Sequence, residues 1–263
     1  MDFHCHLDLY PDAKQVYIEA LQRTEFVWLV TTSPRAYAAT SRVLAATQKF
    51  FISPGLHPEV ADKKHGELDM LLSQMETCTG VGEIGLDGSA RYSQHFELQT
   101  HIFKSVVGNC ARLGGRVLSI HSRAAAEEVL NILDANPGFG TAVLHWFTDS
   151  PSLLQRAAES GCWFSVGPAM MESGNGRKLA VLMPRDRVVS ESDGPFAKVR
   201  GAHVMPWEAN TVAIKLSEAW RVSKDDASIA LKSNGLRLIE LLMANVCHGS
   251  AIWRHPLSAS VGS

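Results

Sequence analysis

Paired cysteines, a dominant charge and a long apolar run are all missing from this chain, and each absence removes a class of protein. The five cysteines (Cys5, Cys78, Cys110, Cys162, Cys247) are odd in number, widely scattered and form no CxxC pair. That argues against a disulfide framework and against a thiolate zinc site, and leaves reduced core thiols as the expectation. With a formal net charge of −2, the molecule lacks the global basic field that carries non-specific nucleic-acid binding. A polyanion would have to be gripped locally, through few phosphates, with a shallow salt dependence. No stretch approaches the roughly 18 apolar residues of a membrane span. No signal peptide precedes Asp2, so the expected location is the cytoplasm. Internal repeats, low-complexity segments and the GxSxG elbow of a serine nucleophile are absent as well.

What is present is enough apolar material for a sizeable core: 46% hydrophobic against 20% charged residues. At 263 residues one large domain is the default, because α/β barrels of roughly 250 residues form single domains. That domain is expected over residues 1–248, with 249–263, small and polar around Ala251-Ile252-Trp253, as a C-terminal tail.

Short apolar strands are predicted at Phe26–Thr31, Phe50–Ser53, Gly80–Ile84, Arg116–His121, Thr141–Phe147, Cys162–Val166 and Arg187–Ser192. Helical spacing separates them: residues 12–24, Pro34 to about Gln48, Glu67–Glu76, Ser93–Leu113 stopped by Gly114-Gly115, Ala124–Ala135, Pro151–Ser160 and Gly176–Leu182. Two further helices are predicted at Trp207–Arg221 and Asp225–Met243. With the opening strand this makes about eight alternating units, which points to a closed (β/α)8 TIM barrel, the alternative being an open doubly wound sheet.

The opening strand carries the densest chemistry. Alternation along Met1-Asp2-Phe3-His4-Cys5-His6-Leu7-Asp8 puts Asp2, His4 and His6 on one face and Phe3, Cys5 and Leu7 on the other. Two imidazoles held at fixed spacing on a strand suit a divalent metal ion. His6 ends the first predicted strand, Glu83 lies in the fourth, His121 and His145 close the fifth and sixth, and Asp193 follows the eighth. In a barrel those strand ends meet at one mouth, where barrel enzymes keep their chemistry. Gly80-Val81-Gly82-Glu83-Ile84-Gly85 spells the dinucleotide fingerprint GxGxxG, but its setting is wrong, since the motif is itself the strand and no helix opens from it.

These segments, with Gly55-Leu56-His57-Pro58, Ile120-His121-Ser122-Arg123, His145-Trp146-Phe147, Glu191-Ser192-Asp193-Gly194-Pro195 and Asn234-Gly235-Leu236-Arg237-Leu238, resemble the TatD family of metal-dependent deoxyribonucleases along nearly the whole chain. The resemblance implies two or more divalent ions, with His4, His6, Glu83 and Asp193 around one, Glu83, His121 and His145 around the other, and Glu83 as the bridge. It implies magnesium or manganese in use; mixed imidazole and carboxylate donors also suit zinc. Glu83 and Asp193 would then be catalytic, with Asp193 orienting or deprotonating a water, and His57 would face the substrate. Arg123 is placed either to fork onto a phosphate or to sit in solvent, as are Lys198 and Arg200. The expected activity is 3′–5′ exonucleolytic phosphodiester hydrolysis of single-stranded DNA or DNA ends, with bases free to stack on Trp146 or Phe196.

The rim departs from that family. His145-Trp146-Phe147-Thr148-Asp149 stands where members commonly read His-Cys-Phe-Ser/Thr-Gly, and the usual Tyr-Leu and Arg-Asn-Glu-Pro patterns are missing after Asp193. The whole sequence, including Ser165–Met170, is similar to the TatD-like nuclease component of Qat anti-phage defence systems, which implies other proteins of such a system as partners. Two other readings compete: an amidohydrolase-type metal hydrolase acting on a small substrate, and a partner-dependent or scaffolding subunit.

Overall fold

Residues 1–244 are described by the structure, a computed structural model in which strands and helices alternate along the chain. The strands are β1 (Asp2–Cys5), β2 (Val27–Val30), β3 (Phe50–Ser53), β4 (Gly80–Gly85), β5 (Arg116–His121), β6 (Gly140–His145), β7 (Trp163–Val166) and β8 (Val188–Ser190). The helices are α1 (Ala13–Arg23), α2 (Pro34–Val43), α3 (Ala61–Lys64), α4 (Leu68–Gln74), α5 (Phe96–Arg112), α6 (Ala126–Asp134), α7 (Pro151–Glu159), α8 (Gly174–Leu182), α9 (Ala213–Trp220) and α10 (Lys224–Met243). A two-stranded antiparallel ribbon, β9 (Lys198–Val199) and β10 (Ala202–His203), follows β8.

All neighbours among β1–β3 and among β4–β8 pair in parallel. Two seams close the ring. At the first, the Thr31 amide donates to the Gly82 carbonyl at 3.1 Å and the Glu83 amide to the Thr31 carbonyl at 3.1 Å. At the second, the Asp193 amide donates to the His4 carbonyl and the His6 amide to the Gly194 carbonyl, both at 2.9 Å. The fold is therefore the α/β TIM barrel that the alternating pattern predicts. Gly55 is required at the first seam: a Cβ there would strike the Thr31 carbonyl and both backbone polar atoms of Glu83.

Residues two apart on a strand share a face, and the inward faces show a gradient. Val117, Ser119 and His121 follow one another along β5, Val143 and His145 along β6, Trp163 and Ser165 along β7. The end remote from the mouth is a dry core of Trp28, Phe51, Val117, Val143, Trp163 and Val189, against which α10 packs Leu238 and Leu242. Gly235 of α10 lies against the Met1 sulfur and the Phe3 ring, where a side chain would collide. The outward faces of β4–β7 pack a second core with α5 to α9, and β1–β3 pack a third with α1.

The eight strands and the main helices agree with the sequence reading; the short helix α3 and the β9–β10 ribbon were not expected, and several ends differ. The predicted helix 34–48 stops at Val43, because the Thr47 and Phe50 backbones bond to each other instead, at 3.0 and 3.2 Å. The helix expected from Trp207 begins as a 3-10 segment, Pro206–Val212, before α9. Cys5, Cys78, Cys110 and Cys162 are buried free thiols, as expected. Cys247, His248, His255 and the proposed tail 249–263 lie outside the described residues.

Candidate active site

Glu83 stands at the centre of the mouth. It comes from the bulged stretch of β4, where pairing with β5 shifts register between Val81 and Ile84. Its Oε2 lies 3.0 Å from His6 Nε2, 3.1 Å from His57 Nε2 and 3.4 Å from His4 Nε2. Its Oε1 lies 2.9 Å from His121 Nδ1 and 3.0 Å from His145 Nε2. Five imidazoles from the ends of four strands, β1, β3, β5 and β6, thus converge on one carboxylate that is 1% exposed. Asp193, whose left-handed backbone (φ 48°) turns it back from the end of β8, sits 3.8 Å from His4 Nε2 and 3.9 Å from His6 Nε2. Such strain is characteristic of functional positions.

The second nitrogen of each ring decides what the first can do. His4 Nδ1 is bonded to Ser119 Oγ at 2.7 Å. His145 Nδ1 faces Glu191 Oε2 at 3.5 Å, and His121 Nε2 meets Asp87 Oδ2 at 2.9 Å. In these three the outward partner turns the other ring nitrogen inward toward Glu83, where a cation could take it. His57 is different: its Nδ1 accepts the Glu59 amide at 3.0 Å, so the neutral ring carries its proton on Nε2, facing the cavity.

Electrostatics separate the groups further. Burial alone would raise Glu83, but the imidazoles of His57, His145 and His4 hold it well below the usual carboxylate range. Burial pushes Asp193 up to about 7 against the pull of His145 and His6. Burial also drives His4 well below the usual imidazole range. In His145 burial is outweighed by Glu83 and Glu191, which hold it well above that range. The His4 and His145 rings stack with centroids 3.8 Å apart, so ion-free, the pair avoids placing two positive charges face to face.

His4 Nε2, both nitrogens of His6 and Glu83 Oε2 are buried without a hydrogen-bond partner. Buried polar groups are costly unless bonded or ligated, and these orphans are nitrogen and oxygen donors of the kind divalent cations take. His4, His6 and Glu83 bring ligand atoms within 4.8 Å of one another, as do His4, His145 and Asp193, and also His57, Glu83 and His121. The residues fit a divalent metal centre.

All six metal-ligand candidates read from the sequence are brought together, and Arg123 and His57 line the same cavity, of about 590 Å³. His145 stacks on His4 beside Asp193, and His57 joins Glu83 and His121. Lys198 and Arg200 are exposed on the ribbon and do not line the cavity. Asp87 and Glu191, both fully buried, were not singled out by sequence. Their only signal is being carboxylates four residues beyond Glu83 and two before Asp193.

The family described as TatD related DNase matches residues 1–240. Human deoxyribonuclease TATDN3 is 24% identical over 267 residues, covering 92% of this chain and 95% of its own. The 3′-5′ ssDNA/RNA exonuclease TatD of Erwinia tasmaniensis is 29% identical over 159 residues, 58% of this chain and 61% of that protein. The crystal structure of YJJV, a TatD homolog from Escherichia coli K12, superposes with a TM-score of 0.79 at 24% identity, covering 90% of this chain and 96% of that one.

Proposed function

This chain belongs to the TatD-related DNase family of metal-dependent hydrolases, and we propose that it is a 3′–5′ exonuclease acting on single-stranded DNA or DNA ends. The observation that carries the reading is the single buried carboxylate ringed by five imidazoles with donor atoms left unbonded. His4, His6, Glu83 and Asp193 would hold one divalent ion and Glu83, His121 and His145 a second, magnesium or manganese, with zinc compatible with the same donors. Ions held there supply Lewis acidity toward a phosphodiester and toward water. A glutamate at the bridging position, rather than a modified lysine, favours phosphodiester over amide hydrolysis.

The chain's own groups divide the remaining work. Asp193, beside His4 and His6 at the end of β8, would orient or deprotonate a water as general base. Glu83, ringed by imidazoles on both of its oxygens, is placed as the bridge instead. His57 presents Nε2–H to the cavity and Arg123 a guanidinium, both suited to phosphate oxygens. The cavity has the size of a small-ligand site, which suits one terminal nucleotide at a time. The chain is read as one domain over 1–248 with 249–263 as a tail. No helix among the described residues is long and apolar enough to cross a membrane. A cytoplasmic place among other proteins of an anti-phage defence system completes the proposal, on sequence resemblance alone.

The test is mononucleotide release from a short end-labelled single strand by metal-stripped protein resupplied with magnesium, manganese or zinc, beside His145→Ala. Metal-dependent release that starts at the 3′ end, stops when that end is blocked and is abolished in the variant is the expected result. No release with any metal, from protein shown to bind two ions, would overturn it.

A further inference from the structure

Phe196 is the only aromatic residue classed as exposed among the described residues, at 59%. It joins none of the three cores, yet it lines the active-site cavity and sets its ring edge-on to His6, with centroids 5.0 Å apart and planes at 73°. Trp146, the other rim aromatic, is half-buried and packs on the main core, so packing explains it. Packing does not explain Phe196.

The backbone around Phe196 is held on both sides. The Ala197 amide donates to the Asp193 carbonyl at 2.9 Å and the Val204 amide to the Ala197 carbonyl at 3.0 Å. Tyr10, 6% exposed, donates its hydroxyl to the Val204 carbonyl, and His203 Nδ1 contacts the Pro195 carbonyl. Ala197 and Val204 are each 3% exposed. A wet aromatic ring is thus carried on a fixed segment beside the cation-binding end of β1. Its two side-chain torsions cost little entropy to immobilise.

Resting on the phosphodiesterase reading, we infer that Phe196 is the platform on which the base of the reacting terminal nucleotide stacks. A phosphate gripped at the centre leaves the attached sugar and base to extend toward the rim, and every base has a face that an aromatic ring can cover. The expected preference is therefore for nucleotides over base-free phosphodiesters, with little choice among bases.

Thymidine 5′-(p-nitrophenyl phosphate) and methyl p-nitrophenyl phosphate share the scissile bond, and only the first has a base. Phe196→Ala should lower kcat/KM on the thymidine ester roughly 10-fold, mainly through KM, the effect of losing one base–aromatic stack. On the methyl ester it should change kcat/KM less than about 2-fold, and Phe196→Trp should retain the preference. Equal loss on both esters, or none on either, would overturn the inference. Hydrolysis of neither ester by the metal-loaded wild type would overturn the enzymatic reading instead. Calorimetric titration with thymidine 5′-monophosphate and deoxyribose 5-phosphate then still decides for Phe196. Tighter binding of the nucleotide that Phe196→Ala removes supports the platform, and equal binding of the two ligands overturns it.

Discussion

The two ends of the barrel treat buried polar atoms in opposite ways. At the end remote from the mouth the buried side chains of Asp2, Trp28 and Asn234 are bonded. Asp2, fully buried, accepts the Ser192 amide at 2.9 Å and the Ser192 hydroxyl, and Trp28 Nε1 donates to Ser53 Oγ at 2.8 Å. Asn234 Nδ2 donates to the Arg185 and Val188 carbonyls, both at 2.8 Å. At the mouth, four buried atoms of His4, His6 and Glu83 have no partner. Asp8 Oδ1 and Gln74 Oε1 are also buried without a partner, but among the described residues it is at the mouth that such atoms gather around one carboxylate, which packing alone does not explain. The closed end is built for folding and the open end for something that binds. Serines at the middle of the barrel join them: Ser119 bonds His4, and Ser165 donates to Glu191 behind His145.

Glu83→Gln tests the contrast hardest. It keeps size and shape and removes the charge on which five imidazoles converge. Nuclease activity is expected to fall by about 10³-fold, the upper range for losing a preorganised electrostatic group, and the rise in Tm on adding manganese should vanish with the bound ions. Differential scanning fluorimetry with and without metal, beside the nuclease assay, reads both. If the substitution lowers the metal-free Tm by several degrees, the mouth is a structural ion-pair cluster and the contrast between the ends fails.

Glu191→Gln should cost less. Its carboxylate orients the His145 ring through Nδ1, accepts the Ser165 hydroxyl and receives the Trp146 amide at 3.2 Å, which steadies Trp146 in a left-handed conformation (φ 40°). Outer partners of metal-binding histidines typically govern metal affinity by about 10–100-fold. That loss should appear in a manganese titration and be recovered partly at saturating metal. A drop in turnover that saturating metal leaves untouched would mean Glu191 acts on the reaction directly.

Much of this was legible in the sequence, for a physical reason. Short apolar strands separated by period-3.6 helices point to the barrel, and a barrel gathers strand ends, so His6, Glu83, His121, His145 and Asp193 could be assigned to one mouth from their positions alone. What escaped depends on contacts across the sheet. Asp87 and Glu191 are ordinary carboxylates until the fold sets them behind His121 and His145. His57 shares its neighbours with the ligand candidates, and only the amide of Glu59 on its Nδ1 marks it as a proton-bearing donor. The β9–β10 ribbon was missed because its turn is Arg200-Gly201, both at positive φ (52° and 84°). Arginine lacks the short polar side chain that makes Asn-Gly or Asp-Gly recognisable in such turns.

Asn234→Ala should have the smallest effect on chemistry and sharpens the contrast from the other end. Asn234 is 3% exposed on α10, and its amide fixes the chain on either side of the start of β8. Removing it leaves the Arg185 and Val188 carbonyls without that donor, at a cost of about 2 kcal/mol. For a chain of this size that corresponds to a Tm lower by roughly 5 °C. The metal-dependent rise in Tm and the kcat/KM of the folded fraction should stay within about 2-fold of wild type, because the mouth is reached from β8 only past Glu191 and Ser192, which keep their own bonds. A loss of metal affinity alongside the loss of stability would show that the dry end holds the ligand geometry as well as the fold.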